Sequence, residues 1–453
     1  MSKQLAGLSS VLEKIFQLRA KEATVRTELI AGLTTFVTMS YILFVNPNIL
    51  AAAGIPKDAA IAATIWSAVF STVLMGLWAN FPIAVAPGMG LNAFFAYTVV
   101  LGMGLPWQTA LGAVFISGLV FLVLTCGGIR QAIIRAVPAN LKCAIGVGIG
   151  LFIAFVGLQG SGIIVGDPAT LVTAGPVAGI SFEFGRPAPL LTLAGLIFTG
   201  ALMARQVRAA LLLGIAFTTV LGMFCGAAPV PGGISDLLGA DTPSLSETFL
   251  AMDIAGAWEY GIFSIIFTFT VVELFDNMGT LMGLARKAKL LKDDGSMENL
   301  DRALTSDAVG TMASAALGTS TVTSYVESGA GIAAGGRTGL TALTVAALFA
   351  LALFFAPLFK FVPGFATAPA LILVGALMMS DVVQVRFEDI TETLPAFLTI
   401  IMMPLTYSIA NGLAFGFVSH SLLKIFSGKA RELNPVMALI SLAFMLNFVL
   451  RLA

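Results

Sequence analysis

Charged residues are scarce in this sequence. Asp, Glu, Lys and Arg make up 11% of its 453 residues and hydrophobic residues 58%, whereas soluble domains contain about 25% charged residues. Mean hydropathy is +0.97. We therefore expect a polytopic membrane protein whose surroundings are the lipid bilayer. The formal net charge is zero and there is no basic tract, which excludes nucleic acid as a partner.

Histidine and cysteine are almost absent. His420 is the only histidine and the three cysteines form no CxxC pair, so a histidine metal site or a histidine-based triad is excluded. The phosphate-loop pattern GxxxxGK[ST] is missing, which excludes ATP bound by such a loop as an energy source. No nucleophile–base pair is placed for hydrolysis. We expect a protein that is not an enzyme, binds no cofactor and uses an ion gradient.

Apolar segments of membrane-spanning length fill most of the chain. They predict an all-α protein with about seven spans in the first half and seven or eight in the second, the surplus lying near the C-terminus. Because seven is odd, the second half must run inverted relative to the first. The predicted spans are Leu29–Asn46, Ala59–Trp78, Phe81–Met103, Thr109–Cys126, Leu141–Leu158, Pro189–Leu202, Ala209–Cys225, Gly261–Leu284, Ala303–Leu317, Gly318–Gly336, Leu340–Phe359, Ala366–Met379, Leu394–Tyr407, Leu413–Phe426 and Val436–Leu450.

Basic residues in short loops predict the orientation of the chain. With the N-terminus in the cytoplasm, the loops after the fourth, sixth and eighth spans should be basic, and all three are. We expect a multi-pass protein of the cell membrane. The basic residues are Arg130, Arg135, Lys142, Arg205, Arg208, Arg286, Lys287, Lys289 and Lys292. The predicted domains are a cytoplasmic segment (1–24), a first seven-span repeat (25–226), an extracellular connection (227–260) and a second seven-span repeat (261–453).

The third and tenth spans are interrupted at corresponding positions of the two halves. In the third, Pro87 and Gly88 predict an extended lead into a half-helix from about Asn92. In the tenth, Thr319–Tyr325 is expected to be extended and Ser328–Ala334 to form half a helix. Extended backbone at membrane depth must be buried in protein or line a cavity. Paired interruptions of this kind indicate the binding site of a transporter.

Three carboxylates lie in these central segments. Glu327 is in the tenth span, and Glu273 and Asp276 lie three residues apart on one helical face of the eighth. An ionisable residue inside a span is a candidate functional residue. A carboxyl group that takes up a proton on one side and releases it on the other couples transport to the proton gradient, so all three are predicted proton-coupling residues. The alternatives are helix-end acids facing water, a structural partner role for Glu273, and an extramembrane loop around Glu327.

Uncharged residues near these acids are further candidates. Asn92 could cap the third-span half-helix or bind ligand. Phe94 could stack on a ligand, although aromatic side chains at such positions more often pack in the protein interior. Thr323 could line a polar path or satisfy local backbone, and Arg337 is expected to cap or to reach the interface.

Four separated pieces of the sequence, in order, resemble the AzgA-like purine permeases of the nucleobase–ascorbate or uracil-permease-like superfamily. The similarity runs from about Val25 to the C-terminus. The pieces are Arg-Thr-Glu-Leu-Ile-Ala-Gly-Leu-Thr-Thr-Phe (26–36), Ala-Pro-Gly-Met-Gly-Leu-Asn-Ala-Phe-Phe (86–95), Phe-Asp-Asn-Met-Gly-Thr-Leu (275–281), and Ser-Tyr-Val-Glu-Ser-Gly-Ala-Gly-Ile (324–332) with Gly-Gly-Arg-Thr-Gly-Leu-Thr-Ala (335–342).

The resemblance implies a fourteen-span fold of two inverted repeats, with a core domain that carries the site and a gate domain that forms a homodimer. It also implies proton-coupled import of purine bases by elevator-type movement, with adenine favoured and guanine or hypoxanthine as other substrates. Asp276, Glu327 and Asn92 match the family's substrate-binding positions, with Glu273 a variable neighbour. Phe94 or Phe275 would offer an aromatic face to the base.

Two other classes of function compete with this one. An anion carrier, for sulfate or bicarbonate, could share the fold, but three candidate carboxylates would repel its substrate. A channel would need rings of repeated polar residues, and a membrane-embedded enzyme would need a metal or a nucleophile set. Neither pattern is present in the sequence.

Overall fold

The computed structural model describes residues 12–127, 133, 136–175, 188–233, 243–261, 265–288, 290 and 299–452. Four of the basic residues used to predict orientation lie outside this part of the chain, namely Arg130, Arg135, Lys289 and Lys292. Parts of the predicted segment 1–24 and of the predicted connection 227–260 lie outside it as well.

The described residues form a mainly helical protein. The first half contains α1 (Val25–Met39), α2 (Ile42–Ala52), α3 (Lys57–Leu74, continued by a π-helical turn Met75–Ala79), β1 (Val85–Pro87), α4 (Met89–Ala93, continued by the π-helix Phe94–Gly102), α5 (Trp107–Cys126), α6 (Ala139–Gly160), β2 (Ile164–Asp167), β3 (Leu171–Ala174), α7 (Pro189–Ala204) and α8 (Ala210–Phe224). The second half contains α9 (Ile254–Gly261), α10 (Phe267–Lys287), α11 (Leu300–Leu317), β4 (Val322–Ser324), α12 (Ser328–Ala333), α13 (Gly339–Ala352), α14 (Ala356–Lys360), α15 (Gly364–Met378), α16 (Ile390–Leu405), α17 (Ile409–Phe426) and α18 (Pro435–Leu452).

These elements confirm the predicted fold class, an all-α membrane protein of two inverted seven-span repeats. Seven helices in the described ranges are long and apolar enough to cross a membrane on their own, and shorter apolar helices occupy the third, sixth, seventh, thirteenth and fifteenth predicted spans. The eighth and ninth predicted spans correspond to α10 and α11, and the interrupted tenth contains β4 and α12. The eighth span differs from the predicted Gly261–Leu284. Helix α9 lies in the predicted connection apart from its last residue, and α10 begins at Phe267 and continues to Lys287. The surplus apolar segment is α18, which follows the fourteenth span and packs on α17.

The helices pack into two groups that correspond to the implied core and gate domains. In the core, α11 packs on α3 and α5, and α13 packs on α1 and α3. In the gate, α6 packs on α15 and α16, α15 packs on α7, and α16 packs on α17. Contacts between the two groups are much sparser, as between α4 and α6.

The two interrupted spans meet through their extended pieces. Strands β1 and β4 pair antiparallel, with Ala86 opposite Thr323. Beyond the strands, the Gly88 N–H donates to the Thr321 carbonyl at 3.0 Å, and the Tyr325 N–H donates to the Ala84 carbonyl at 2.9 Å. This pairing satisfies the backbone groups that extended chain would otherwise leave unpaired at membrane depth. It also makes corresponding strands of the two halves run in opposite directions, as inverted repeats require.

Half-helices follow both strands, close to the predicted positions. Helix α4 begins at Met89, three residues before the predicted start, and α12 spans Ser328–Ala333. Within the predicted extended piece, Val322–Ser324 forms a strand, and Thr319–Thr321 and Tyr325 are not helical. A β-hairpin of β2 and β3 follows the fifth span, in a stretch for which the sequence predicts no element.

Candidate functional site

Glu327 lies immediately before α12, at the end of the interrupted backbone. Its side chain is only half-buried, and the neighbouring Val326 is 58% exposed. The Tyr41 hydroxyl donates to Glu327 Oε1 at 2.6 Å. One carboxylate oxygen is therefore held by the protein, and the carboxylate as a whole reaches accessible space. This arrangement suits a group that accepts a hydrogen bond from a ligand.

Asp276 lies on α10 and is also half-buried. Among the described residues, neither of its carboxylate oxygens has a hydrogen-bond partner. Helix α10 packs directly on β4 and α12, the elements on either side of Glu327. The structure therefore brings the two predicted substrate-binding acids to the same region, and both remain accessible.

Glu273 occupies a different environment from Asp276, although both lie on α10. It is fully buried and accepts a hydrogen bond from the Thr311 hydroxyl at 2.6 Å. Its Oε2 atom is buried without a hydrogen-bond partner in the described residues. Asp307 on α11 is likewise fully buried, accepts a hydrogen bond from the Asn277 amide, and has an unpartnered Oδ1 atom. Glu273 and Asp307 interact electrostatically and form a buried acid pair beside the accessible Asp276.

Asn277 joins this acid pair to the interrupted backbone. Its Nδ2 donates to Asp307, and its Oδ1 accepts from the Ser324 N–H at 3.0 Å. On the neighbouring residue, the Tyr325 hydroxyl donates to the Pro87 carbonyl at 2.6 Å. A single amide thus connects α10, α11 and β4, the strand that leads to Glu327.

Asn92 is fully buried within α4 and does not cap it, because Gly88 is the N-cap residue. Its amide donates to Asn46 Oδ1 at 2.5 Å, and the Asn46 amide donates to the hydroxyls of Thr64 and Thr319 at 2.8 and 3.1 Å. These bonds connect the third, first, second and tenth spans. Asn92 Oδ1 is buried with no partner in the described residues, so this oxygen is the atom of Asn92 that could still bind a ligand.

The aromatic and hydroxyl candidates are mostly enclosed. Phe94 is fully buried and meets Phe269 edge to face at 5.0 Å between ring centroids. Phe275 is 8% exposed, and its centroid lies 6.5 Å from that of Phe417 on the gate helix α17. Thr323 is buried on β4. In this conformation none of the three presents a large accessible surface.

The cap predicted for Arg337 is present. Its Nη1 donates to the Ile332 and Gly336 carbonyls at 2.8 and 2.7 Å, at the C-terminal end of α12. The Arg337 N–H in turn donates to the buried Glu28 carboxylate at 2.8 Å. Glu28 also accepts from the Thr338 N–H and from the N–H and hydroxyl of Thr341. The first span is therefore tied to the junction between α12 and α13.

Sequence reasoning missed Tyr41, Asn277 and Asp307. Tyr41 looks like one more aromatic of an apolar span. Asp307 lies five residues after Arg302 and resembles a charge near a helix start, whereas α11 actually carries it into the interior. Asn277 belongs to the Phe-Asp-Asn-Met-Gly-Thr-Leu piece. Because it is uncharged, the sequence prediction named its charged neighbour Asp276 instead. The signal that could have found Asp307 is its position seven residues into a helix that also has to cross the membrane.

Comparisons with known proteins identify the family and the fold of this chain. The sequence model of the Permease family matches residues 26–415. The adenine permease AdeP of Escherichia coli (strain K12) is 43% identical over 439 residues, which cover 97% of this chain and 96% of that protein. The guanine/hypoxanthine permease PbuG of Bacillus subtilis (strain 168) is 46% identical over 454 residues, covering 97% and 99%. The transmembrane domain of a cyanobacterium bicarbonate transporter, BicA, matches with a TM-score of 0.62 at 15% identity, covering 86% of this chain and 97% of that domain.

Proposed function

Because this chain belongs to the Permease family, and is a carrier rather than an enzyme, we propose that it transports purine nucleobases across the membrane in symport with protons. Adenine is the favoured substrate, with guanine and hypoxanthine as further substrates. Relatives that match nearly the whole chain are an adenine permease and a guanine/hypoxanthine permease. The observation that carries the proposal is the pair of accessible carboxylates, Asp276 and Glu327, at the crossing of the two interrupted spans.

A neutral purine suits this pair of acids. The base presents N–H groups on its ring and, in adenine and guanine, an exocyclic amine, and carboxylate oxygens accept from such donors. Asp276 can offer both oxygens, and Glu327 can offer the one that Tyr41 does not hold. Asn92 and Thr323 border the same crossing, and Phe94 and Phe275 would stack on the base only after side-chain or domain movement.

The buried acid pair supports coupling to protons. Two carboxylates enclosed in apolar protein repel each other strongly if both are charged. A single proton shared between Glu273 and Asp307 would satisfy one of their unpartnered oxygens and leave one negative charge. Release of that proton would change the hydrogen bond to Asn277 and hence the position of β4. Glu273 and Asp307 would therefore carry the proton, while Asp276 and Glu327 would bind the base.

The division into two helix groups supports elevator-type alternating access. The candidate site lies entirely on core helices, and contacts between core and gate are sparse, so the core can carry the site past the gate as a unit. We further propose a cytoplasmic N-terminus, following the basic loops, and a homodimer formed through the gate domain.

Uptake of radiolabelled adenine into cells that express the protein tests this function. Unlabelled adenine, hypoxanthine, guanine, xanthine and uracil serve as competitors, with and without a protonophore. We expect competition by purines and loss of uptake with the protonophore. Uptake of uracil but not adenine would contradict the substrate, and protonophore-resistant accumulation would contradict proton coupling.

Anion transport is the alternative that the fold permits, since the bicarbonate transporter domain shares it. Anions would meet two accessible carboxylates at the crossing, which disfavours their binding. Competition by bicarbonate and sulfate in the same uptake assay separates the two substrate classes, and we expect neither anion to compete.

A further inference from the structure

We propose that Tyr41 is a positioning residue for Glu327, which directs the second oxygen of this carboxylate to the substrate and so favours adenine over guanine. This inference rests on the proposed function, because it concerns how the site selects among purines. It starts from a residue that lies outside both interrupted spans and carries no charge.

Tyr41 occupies the break within the first span, between the end of α1 and the start of α2. Its side chain is fully buried, so the ring fills space between the helices and the hydroxyl can point in few directions. The distance of 2.6 Å from the hydroxyl to Glu327 Oε1 is in the range of O–H donors to ionised carboxylates. The bond therefore fixes the rotamer of the Glu327 side chain.

The first span holds the backbone around Glu327 as well. The Thr38 hydroxyl reaches the Glu327 carbonyl at 3.5 Å. Helix α12 lies so close to α1 that a Cβ on Gly331 would collide with the Thr35 hydroxyl and the Ala31 carbonyl. Because both its backbone and one of its oxygens are held by the same span, Glu327 has little freedom to turn its second oxygen away from the accessible side.

The consequence for selectivity follows from the hydrogen-bonding edges of the bases. A carboxylate with two free oxygens can accept two parallel bonds from adjacent donors, such as the N1–H and the N2 amine of guanine. In Glu327 one oxygen already accepts the Tyr41 hydroxyl, so a second donor there has to share that oxygen, and the buried tyrosine limits the directions from which it can approach. The second guanine donor is therefore poorly paired, at a cost. On the corresponding edge of adenine, the exocyclic amine lies beside the acceptor N1 and not beside a ring N–H. Adenine therefore needs only one carboxylate oxygen there.

The test compares Tyr41→Phe with wild type in detergent, using thermal-shift titrations with adenine and with guanine, and adenine uptake to obtain KM. We expect the Kd for adenine to rise about tenfold or more, the equivalent of one hydrogen bond to a charged group. The ratio of guanine to adenine affinity should rise, because a second donor at Oε1 no longer has to share this oxygen with the Tyr41 hydroxyl. The apparent KM for adenine uptake should rise in parallel.

Tyr325→Phe is the matched control. It removes another buried hydroxyl at the same crossing, but that hydroxyl donates its hydrogen bond to the Pro87 carbonyl and not to the Glu327 carboxylate. We expect it to lower the melting temperature of the ligand-free protein and to leave the guanine-to-adenine ratio unchanged. If Tyr41→Phe does not fold, Glu327→Asp replaces it, because the shorter side chain withdraws the carboxylate from the Tyr41 hydroxyl and should move the ratio in the same direction.

The outcomes separate this inference from the function on which it rests. Wild-type protein that binds neither base overturns both. Purine binding by wild type, with an unchanged affinity ratio in a folded Tyr41→Phe protein or in Glu327→Asp, overturns the role of Tyr41 alone.

Discussion

At the scale of single residues, three carboxyl groups lie on helices and the fourth lies immediately before a half-helix, and the structure gives the four groups two distinct environments. Asp276 and Glu327 are accessible, whereas Glu273 and Asp307 are fully enclosed. An accessible carboxylate can exchange a hydrogen bond with water for one with a ligand at little cost. An enclosed carboxylate can bind only a proton or the hydrogen-bond donors that the protein places beside it. The proposed assignment of substrate binding to the first pair and proton coupling to the second rests on this difference in burial.

Replacement of Glu327 by Gln tests the binding role. The amide keeps the size of the side chain but replaces a charged acceptor with a donor at one oxygen, and each lost bond to a charged group costs about 1.5–3 kcal/mol. We expect adenine uptake and binding to be lost. Glu388→Gln makes the same chemical change at an exposed position and should transport normally. Wild-type uptake by a well-expressed Glu327→Gln protein would remove Glu327 from the site.

Replacement of Asp307 by Asn tests the coupling role. The carbonyl oxygen of the new amide side chain can still accept the bond from Asn277, so packing should survive, but the side chain can no longer bind or release a proton. We expect adenine binding and adenine–adenine exchange to be retained and proton-driven accumulation to be lost. Asp381→Asn, at an exposed position, serves as the control. Accumulation at the wild-type level in the Asp307→Asn protein would contradict a coupling role for this pair.

At the scale of secondary-structure elements, close backbone contacts fix the core domain around the site. Gly339, at the start of α13, lies against the backbone of Gly76 in the π-helical turn that ends the second span. A Cβ at Gly339 would overlap the Gly76 carbonyl. The Gly339 N–H also donates to Asn80 Oδ1 at 2.8 Å. The start of α13 is therefore held against the end of the second span, within the stretch 337–341 that is hydrogen-bonded to Glu28.

Gly339→Ala should consequently destabilise the protein. Overpacking of a well-packed interior costs about 1–3 kcal/mol, and here the colliding atoms are backbone, which cannot move aside easily. We expect a lower melting temperature of the detergent-solubilised protein. Gly146→Ala is the matched control in α6, where an added Cβ meets nothing within 4 Å, so it should leave stability unchanged or improve it slightly. Equal melting temperatures for the two variants would contradict the close contact.

The sequence predicts the positions of the secondary-structure elements better than it predicts which elements and side chains contact one another. Spans such as Thr109–Cys126 coincide with helices because apolar length is a local property. The breaks near Pro87 and Gly318 are also predictable, since Pro and Gly act on their own backbone. The pairing of β1 with β4, the bond from Tyr41 to Glu327 and the burial of Asp307 all depend on residues far apart in the chain. No periodicity in the sequence records such contacts.

At the scale of the whole molecule, Tyr407 joins the gate to the core at one end of the bundle. It lies between α16 and α17 with a left-handed φ of 51°, and its hydroxyl donates to Gln159 Oε1 of the gate helix α6 at 2.6 Å. Its carbonyl accepts from the Thr98 hydroxyl of the core at 2.8 Å, and its ring meets that of Tyr97 edge to face at 5.7 Å between centroids. Core movement past the gate has to break these contacts with Thr98 and Tyr97.

A covalent link across this contact should therefore stop transport. In a background with Cys126, Cys143 and Cys225 replaced by Ala, the pair Thr98→Cys and Tyr407→Cys is joined by oxidation or by a short thiol crosslinker. We expect adenine uptake to fall as crosslinking proceeds, and reduction of the disulfide to restore it, because the linked core can no longer move relative to the gate.

The control pair is Ser421→Cys with Ser441→Cys. Their hydroxyls lie 2.6 Å apart between α17 and α18, so a link there joins neighbouring helices on the gate side and does not span the contact between Thr98 and Tyr407. This pair should crosslink with transport retained. Full adenine uptake by protein crosslinked between positions 98 and 407 would mean that the site is exposed to both sides without movement of the core against the gate at this end. In that case an elevator-type mechanism would have to be abandoned in favour of local gating within the core.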